Sequence, residues 1–190
     1  CPDEYTNVVM VQVNPAPAVT SAATRRICSG NSVNYIPTAT IAGSTFTWTA
    51  SVTSGTVSGV TASGSGNIND VLSVPAGSST TGTVTYVITP IGPAPTLCAG
   101  NPFNLVVTVH PIPLVTNAVL AQSICAGLTT TQVNLTSNVA GTAFTWTAVA
   151  SAGLSGYQAS GTGSIPAMQI FSTLLVAGTV TYTITPHGPM

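Results

Sequence analysis

Two histidines, three acidic residues and four cysteines are the side chains of this 190-residue sequence with the most potential for chemistry. His110 and His187, one at a joint and one in a predicted turn, have no serine, cysteine or carboxylate at a recognisable catalytic spacing. Asp70 stands alone and Asp3 with Glu4 is the only acidic pair, whereas calcium takes about six to eight oxygen ligands, often carboxylates. The sequence therefore predicts no catalytic residue, no metal site and no cofactor.

Two short glycine motifs resemble fragments of a phosphate-binding loop. They are Gly-Ser-Gly at 64–66 and Gly-Thr-Gly at 161–163. A phosphate loop needs a helix after it, whose first backbone N–H groups hold the anion, and no helix-forming segment follows either motif. We interpret both as turns or bulges.

Charge is scarce along the whole chain. Charged residues make up 3% of it, against about 25% in an ordinary soluble domain. Arg25 and Arg26 are the only cations apart from histidine, and a nucleic-acid surface needs clustered ones. Threonine, serine, asparagine and glycine interrupt every apolar run before the roughly 18 residues of a membrane-spanning helix. The composition argues against a nucleic-acid partner and against a membrane-spanning helix.

One block of sequence occurs twice. Residues 82–93, GTVTYVITPIGP, return as residues 178–189, GTVTYTITPHGP, with ten of twelve positions identical. Phe46–Ala50 recurs unchanged as Phe144–Ala148, and the I-C-S-G of residues 27–30 recurs as I-C-A-G, which sets a period of 96 to 98 residues. A period of about one small domain indicates copied modules.

Apolar and polar side chains alternate with a period of two. Val180, Tyr182 and Ile184 alternate with threonines, as in a strand with one buried and one solvated face. The segments 45–50, 9–13 and 105–109 alternate in the same way, and glycine turns separate the strands. Short alternating strands of this kind predict an all-β fold, with tandem immunoglobulin-like (PKD-like) β-sandwich domains in a linear array and almost no helix.

Aromatic residues on the apolar strand faces are the predicted core, with the two tryptophans on the third strand of each domain. Exposed rings could instead stack on sugars, but a position on an apolar strand face favours the core. The predicted core residues are Phe46, Trp48, Tyr86, Phe144, Trp146 and Tyr182.

The copies divide the chain into three parts. Residues 1–17 match the last strand of a repeat, residues 18–113 form a complete domain, and residues 114–190 form a second domain that lacks its final strand. Two explanations stay open. Either the chain is one period of a longer tandem protein, or each copy donates its first strand to the open sheet of the preceding copy.

The cysteines fall into two equivalent pairs and are all disulfide candidates. Cys28 and Cys125 lie at the first turn of each copy, and Cys1 and Cys98 lie before a last strand. Those turns are predicted at opposite ends of a sandwich, roughly 25 Å apart, whereas bridged Cα atoms lie within about 7 Å. We hypothesise that Cys125 pairs with Cys98 of the following copy and Cys28 with the Cys1 that follows Met190. The alternatives are a Cys28 to Cys98 bridge within one domain and a lipidated Cys1.

These motifs resemble the PKD-like or immunoglobulin-like repeats of giant cell-surface adhesins from gliding Bacteroidota, the SprB type exported by type IX secretion. The resemblance rests on the two I-C-S/A-G openings, the two F-T-W-T-A segments, A-S-G-x-G-x-I at 62–68 and 159–165, the duplicated G-T-V-T-Y block and V-x-P-x-P at 109–113. It implies a secreted, surface-displayed stalk or adhesive filament. The chain lacks the W-x-F-G-D-G turn of ordinary PKD domains, so carbohydrate and calcium roles of their relatives are not carried over.

The first functional hypothesis is a non-enzymatic structural or adhesive repeat in cell-surface adhesion and gliding, outside the bacterial cell. Its partners would be neighbouring copies of the repeat and a surface polysaccharide or the substratum. A second hypothesis is a self-assembling extracellular filament subunit that polymerises by donor-strand complementation. A third is a binding module attached to a secreted enzyme, which would need an exposed aromatic platform.

Overall fold

The computed structural model describes residues 9–189, and no helix occurs among them. None of the described residues therefore belongs to a helix able to span a bilayer. The strands of the first copy are β1 (Thr24–Cys28), β2 (Asn31–Ser32), β3 (Thr45–Ser54), β4 (Ser63–Ser65), β5 (Val71–Leu72), β6 (Gly82–Ile91) and β7 (Phe103–His110). The strands of the second copy are β8 (Ala143–Ala150), β9 (Leu154–Ser155), β10 (Ser160–Thr162), β11 (Phe171–Ser172) and β12 (Val180–His187).

The first copy forms a five-stranded sheet in the order β1-β7-β6-β3-β4. All neighbours are antiparallel except β1, which pairs parallel to β7. A second, smaller layer consists of the β2–β5 pair and the isolated bridges that join Tyr35 to Ile68 and Ser58 to Ser73. The two layers enclose one apolar core.

The central strand β6 shows how the sequence produces this core. Val84, Tyr86 and Ile88 are fully buried, and each residue between them is only half-buried. The buried face carries large apolar side chains, while the threonines and Val87 lie on the other face of the sheet. The alternation seen in the sequence is therefore the alternation of the two faces.

The second copy repeats this architecture in a smaller sheet, in the order β10-β8-β12. Trp146 pairs with Ile184 across β8 and β12, as Trp48 pairs with Ile88 across β3 and β6. Among the described residues, however, no strand lies on the outer side of β12 where β7 lies beside β6. Consequently Tyr182 and Ile184 are only half-buried.

The predicted all-β fold of tandem β-sandwich domains is confirmed. Trp48, Tyr86 and Trp146 are buried, whereas Phe46, Phe144 and Tyr182 are half-buried. Phe46 packs against the core of the first copy.

Three local predictions were wrong. His187 ends β12 instead of lying in a turn, because the duplicated block stays extended through Pro186. Residues 64–66 are also not simply a turn, since Ser63–Ser65 is strand β4. The predicted strand at 9–13 is not a strand here, because these residues have no pairing partner; residues 1–8 lie outside the described part.

Candidate functional site

The described residues that could do chemistry do not converge. Within residues 9–189, no three histidine, cysteine or acidic side chains are close enough to share a metal ion. The Nε2 atom of His187 lies 2.9 Å from the hydroxyl of Thr145 on the neighbouring strand. His110 ends β7, and its buried Nε2 atom has no hydrogen-bond partner in the described part of the chain. The partner of His187 is thus a threonine hydroxyl, and neither histidine ring is hydrogen-bonded to a carboxylate within residues 9–189.

Each tryptophan is held between a tyrosine and a glycine. The rings of Trp48 and Tyr86 meet edge to face with centroids 5.5 Å apart, and the second copy repeats this pair at the same separation. Gly64 lies opposite Trp48 in the β3–β4 pair. A Cβ atom at Gly64 would lie within 2.9 Å of three atoms of the indole ring. The glycine of the A-S-G-x-G motif therefore makes room for the tryptophan.

Asp70 has a structural partner. Its carboxylate accepts a hydrogen bond of 2.7 Å from the Tyr86 hydroxyl and one of 2.9 Å from the backbone N–H of Thr61. Burial, followed by the neighbouring Asp70, raises the pKa of Tyr86 far above its ordinary value of 10.0. The raised pKa of Tyr86 adds fully to the stability of the folded state below about pH 10. Above that pH the tyrosine ionises first in the unfolded state, so this contribution to stability is lost as the pH rises further.

Met168 takes the place of Asp70 in the second copy. The backbone N–H of Gln158 points at the Met168 sulfur at 3.1 Å, and the Tyr182 hydroxyl lies 4.0 Å from the same atom. Burial also raises the pKa of Tyr182, with a smaller contribution from Tyr157. The second copy thus keeps the geometry of this cluster and loses its charge-assisted hydrogen bond.

The described cysteines do not bridge one another. Cys28 ends β1 beside His110 and is exposed, whereas Cys98 lies before β7 and is half-buried. Because β7 separates His110 from the Cys98 loop, the two cysteines lie at opposite ends of the first domain. Cys125 is exposed at the equivalent turn of the second copy. Cys1 lies outside the described residues.

The junction between the two copies is built around Asn138. Its carbonyl oxygen accepts a hydrogen bond of 2.6 Å from the backbone N–H of Leu114, the first residue of the second copy. Its amide nitrogen donates a bond of 2.7 Å to the backbone carbonyl of Ser78 in the first copy. Thr40 occupies the equivalent position in the first copy and accepts from the N–H of Ala18 at 3.0 Å. Asn138 therefore accepts the backbone hydrogen bond that Thr40 accepts in the first copy, and its amide nitrogen also links the two domains.

The remaining junction surface is mostly apolar. Pro111 is buried, and Pro113 lies near Gly188 at the end of the second copy's duplicated block. A cleft between the domains is lined by Arg26, Thr81, His110, Pro111, Val139 and Pro189. The two domains thus meet through packed prolines and one side-chain hydrogen bond across the joint.

We expect Asn138→Thr to loosen this joint without unfolding either domain. Threonine keeps the oxygen that accepts from Leu114, as Thr40 does in the first copy, and removes the amide that reaches Ser78. The lost bond is worth about 1 kcal/mol. Residual dipolar couplings of the two domains would then report a wider range of relative orientations at an unchanged melting temperature. Identical couplings in parent and variant would contradict the assignment.

Sequence reasoning missed the partners of Asp70 and the role of Asn138. Asp70 and Tyr86 are 16 residues apart, and no motif spacing connects them. A comparison of the copies position by position does carry a signal for Asn138, because Thr40 is replaced there by a residue with one more donor. Such a comparison does not reveal which atom the new donor reaches.

The family model of the PKD-like domain matches residues 25–113 and 122–189. Domains of this family are generally extracellular, and the family indicates an adhesive or structural repeat module. A search of curated proteins and of solved structures finds no match. One family match falls on each sandwich and together they cover well over half of the sequence, so the chain belongs to the PKD-like domain family as a tandem pair of its domains.

Proposed function

We propose that the chain is a repeat segment of a long bacterial cell-surface adhesin or filament, a non-catalytic stalk that presents contact surfaces in adhesion and gliding. The observation that carries this proposal is the direct junction of two PKD-like sandwiches of the same repeat type through Asn138 and the proline linker. Tandem domains of one type gain length by repetition and contact only their neighbours. A segment of this kind needs no polar cleft to act.

The dimensions of the strands suit a spacer. The long strands β3 and β6 each contain 10 residues, which corresponds to roughly 33 Å of extended chain. Each further domain would therefore move a distal contact surface away from the cell by a distance of this order. Reach would grow linearly with the number of copies.

The surface of the strands suits an exposed rod. Threonine fills most of the solvated faces of β3 and β12 and half of that of β8, and no polar or charged residue is buried among those described. Threonine hydroxyls keep a surface hydrated without ion pairs that salt would screen. With two arginines and no lysine, the chain also offers few sites to trypsin-like proteases. These properties favour display outside the cell. Export by type IX secretion is proposed from the resemblance of the repeat motifs alone.

Disulfide bonds between neighbouring domains would stiffen such a stalk. Cys28 lies at the end of the first domain that faces the second, because β1 ends beside His110 and the linker follows. Pro189 of the second domain lines the cleft at this end. We propose that Cys28 pairs with the cysteine that follows a second domain, and Cys125 with Cys98 of the next copy, each bond contributing about 2–4 kcal/mol.

Peptide mapping of the oxidised protein without reduction tests this pairing. We expect peptides of Cys28 joined to Cys1 and of Cys125 joined to Cys98, in material that contains neighbouring copies. A peptide joining Cys28 to Cys98 of one domain would contradict the proposal.

The stalk function itself is tested in the producing cells. Removal of the two domains in frame should shorten the surface fibre seen by negative-stain electron microscopy by about 70 Å, twice the strand length. Attachment under flow and spreading on agar should weaken while secreted enzyme activities stay unchanged. Fibres of unchanged length, or unchanged attachment after complete removal of the protein, would contradict the proposal. Partner contacts with a surface polysaccharide or the substratum would be compared on coated surfaces in the same flow cell.

A further inference from the structure

The two domains differ in the loop that precedes β6 in one and β12 in the other. In the first domain this loop runs through residues 75–81 and contains two serines and two threonines. In the second domain Leu174 takes the packing position of Val74, because each lies against the glycine that follows the loop. Only residues 175–177, Leu-Val-Ala, remain for the loop itself. The loop of the second domain is therefore shorter and apolar.

The position of this loop in the domain is a joint position. In the first domain the loop meets the second domain, where the carbonyl of Ser78 accepts from the amide of Asn138. In the second domain the loop comes before β12, whose other end lies at the linker, since Gly188 is close to Pro113. The 8 residues of β12 extend over roughly 26 Å. The apolar loop thus lies at the end of the second domain where a following domain would join.

The side chains of this loop face outward. In the first domain, which includes its last strand β7, Thr80 and Thr81 of the loop are exposed, so a last strand does not cover this position. In the second domain the exposed fractions of Leu175 and Val176 are 103% and 75%. Two adjacent large apolar side chains that contribute nothing to their own core indicate a contact surface.

The opposite end of a first domain has the surface that would meet this loop. At the joint within the chain, Val139 and Pro189 of the second domain line the cleft between the domains. Their equivalents in the first domain are Ile41 and Pro93, which occupy the same places in the duplicated segments. Ile41 is half-buried and Pro93 is exposed. A first domain therefore offers apolar side chains to a domain that precedes it.

The polar groups of the existing joint are replaced on both sides at once. Thr40 stands where the second domain has Asn138, and it lacks the amide that donates to Ser78. The shorter loop of the second domain has no counterpart of Ser78. Arg26, which lines the existing cleft, is replaced by Ser123. Because donor, acceptor and charge are lost together, a contact between these two ends would be apolar throughout.

Two cysteines lie at the same two ends. Cys125 occupies the turn equivalent to that of Cys28, at the end of the second domain that bears Leu175. Cys98 lies in the loop that follows Pro93. The disulfide proposed above, between Cys125 and Cys98 of the next copy, requires these ends to meet.

We infer that Leu175 and Val176 are the docking surface for the first domain of the following copy, where they pack on Ile41 and Pro93. This surface presupposes the tandem arrangement proposed above and adds a rule for neighbouring domains. A second domain docked on another second domain would direct the Asn138 amide at the apolar loop, and a buried donor without a partner is destabilising. Each joint is therefore stiff only with its matching neighbour.

The test uses two copies of the chain produced as one polypeptide, with residue 1 of the second copy after residue 190 of the first. A photoreactive benzophenone amino acid replaces Leu175 of the first copy, and cross-linked peptides of the single polypeptide are identified by mass spectrometry. We expect cross-links to residues 38–43 or to Pro93. Within one copy these sites lie at opposite ends, so such a cross-link identifies the neighbouring copy. The matched control replaces Ser79, which should cross-link to Val139 across the known cleft.

A charge in the docking surface should break the contact. Val176→Asp should lower the yield of the cross-link from position 175 at least about fivefold, because a carboxylate in an apolar contact loses its hydration. The yield from position 79 should not change. The substitution lies in an exposed loop, and unchanged tryptophan fluorescence would verify that the domain stays folded.

Two results would overturn the inference. One is the absence of a cross-link from position 175 to the next first domain while the probe at position 79 reacts. The other is a cross-link whose yield Val176→Asp does not change. Both are measured on purified protein, whereas the stalk function is measured by fibre length and attachment of cells, so the failure of one is distinguishable from the failure of the other.

Discussion

Alanine at Gly64 is expected to lower the free energy of unfolding of the first domain by about 3 kcal/mol, the upper end of the range for overpacked cores. The new methyl group would lie within 2.9 Å of three atoms of the Trp48 ring. That ring is fixed on its other side by Tyr86 and cannot withdraw without losing core contacts. Gly161→Ala should have the same effect on the second domain, where Trp146 is the neighbour.

The matched control is Gly66→Ala, two residues away. Gly66 has a φ of 68° with no atom within 4 Å of an added Cβ, so only the left-handed backbone penalty of about 1 kcal/mol applies. Chemical denaturation followed by tryptophan fluorescence measures both variants. If Gly64→Ala costs no more than Gly66→Ala, close packing on the indole is not the reason for this glycine.

The strands and the core follow from local patterns in the sequence. Alternation of apolar residues with threonine placed β3, β6, β7 and β12 correctly, because one face of each strand is covered and the other is solvated. The duplication then extended each assignment to the other copy. Trp48 and Trp146 were assigned to the core on the same grounds, and both are buried.

Features that depend on register or on the second layer could not be predicted. The steric role of Gly64 exists only because β4 places it opposite Trp48, and its sequence motif equally suits a turn. Asp70 was interpreted as an isolated acid because its partner Tyr86 lies on a different sheet.

Asp70→Met should remove about 2 kcal/mol from the free energy of unfolding of the first domain, within the range for a hydrogen bond to a charged group. The substitution introduces the residue that the second copy has at this position. The buried Tyr86 hydroxyl would lose its 2.7 Å acceptor, and the N–H of Thr61 would face a weaker one. Thermal unfolding followed by the near-ultraviolet signal of Tyr86 and Trp48 measures the loss.

Two further variants separate charge from shape. Asp70→Asn retains an acceptor oxygen at the same place, so it should cost about 1 kcal/mol, the value for a neutral hydrogen bond. Met168→Asp installs the carboxylate in the second copy, where the Tyr182 hydroxyl already points at that position. It should stabilise the second domain less than Asp70 stabilises the first, because Tyr182 is only half-buried and water competes for its hydroxyl. A gain in the second domain as large as the loss in the first would show that burial of the tyrosine does not set the strength of this bond.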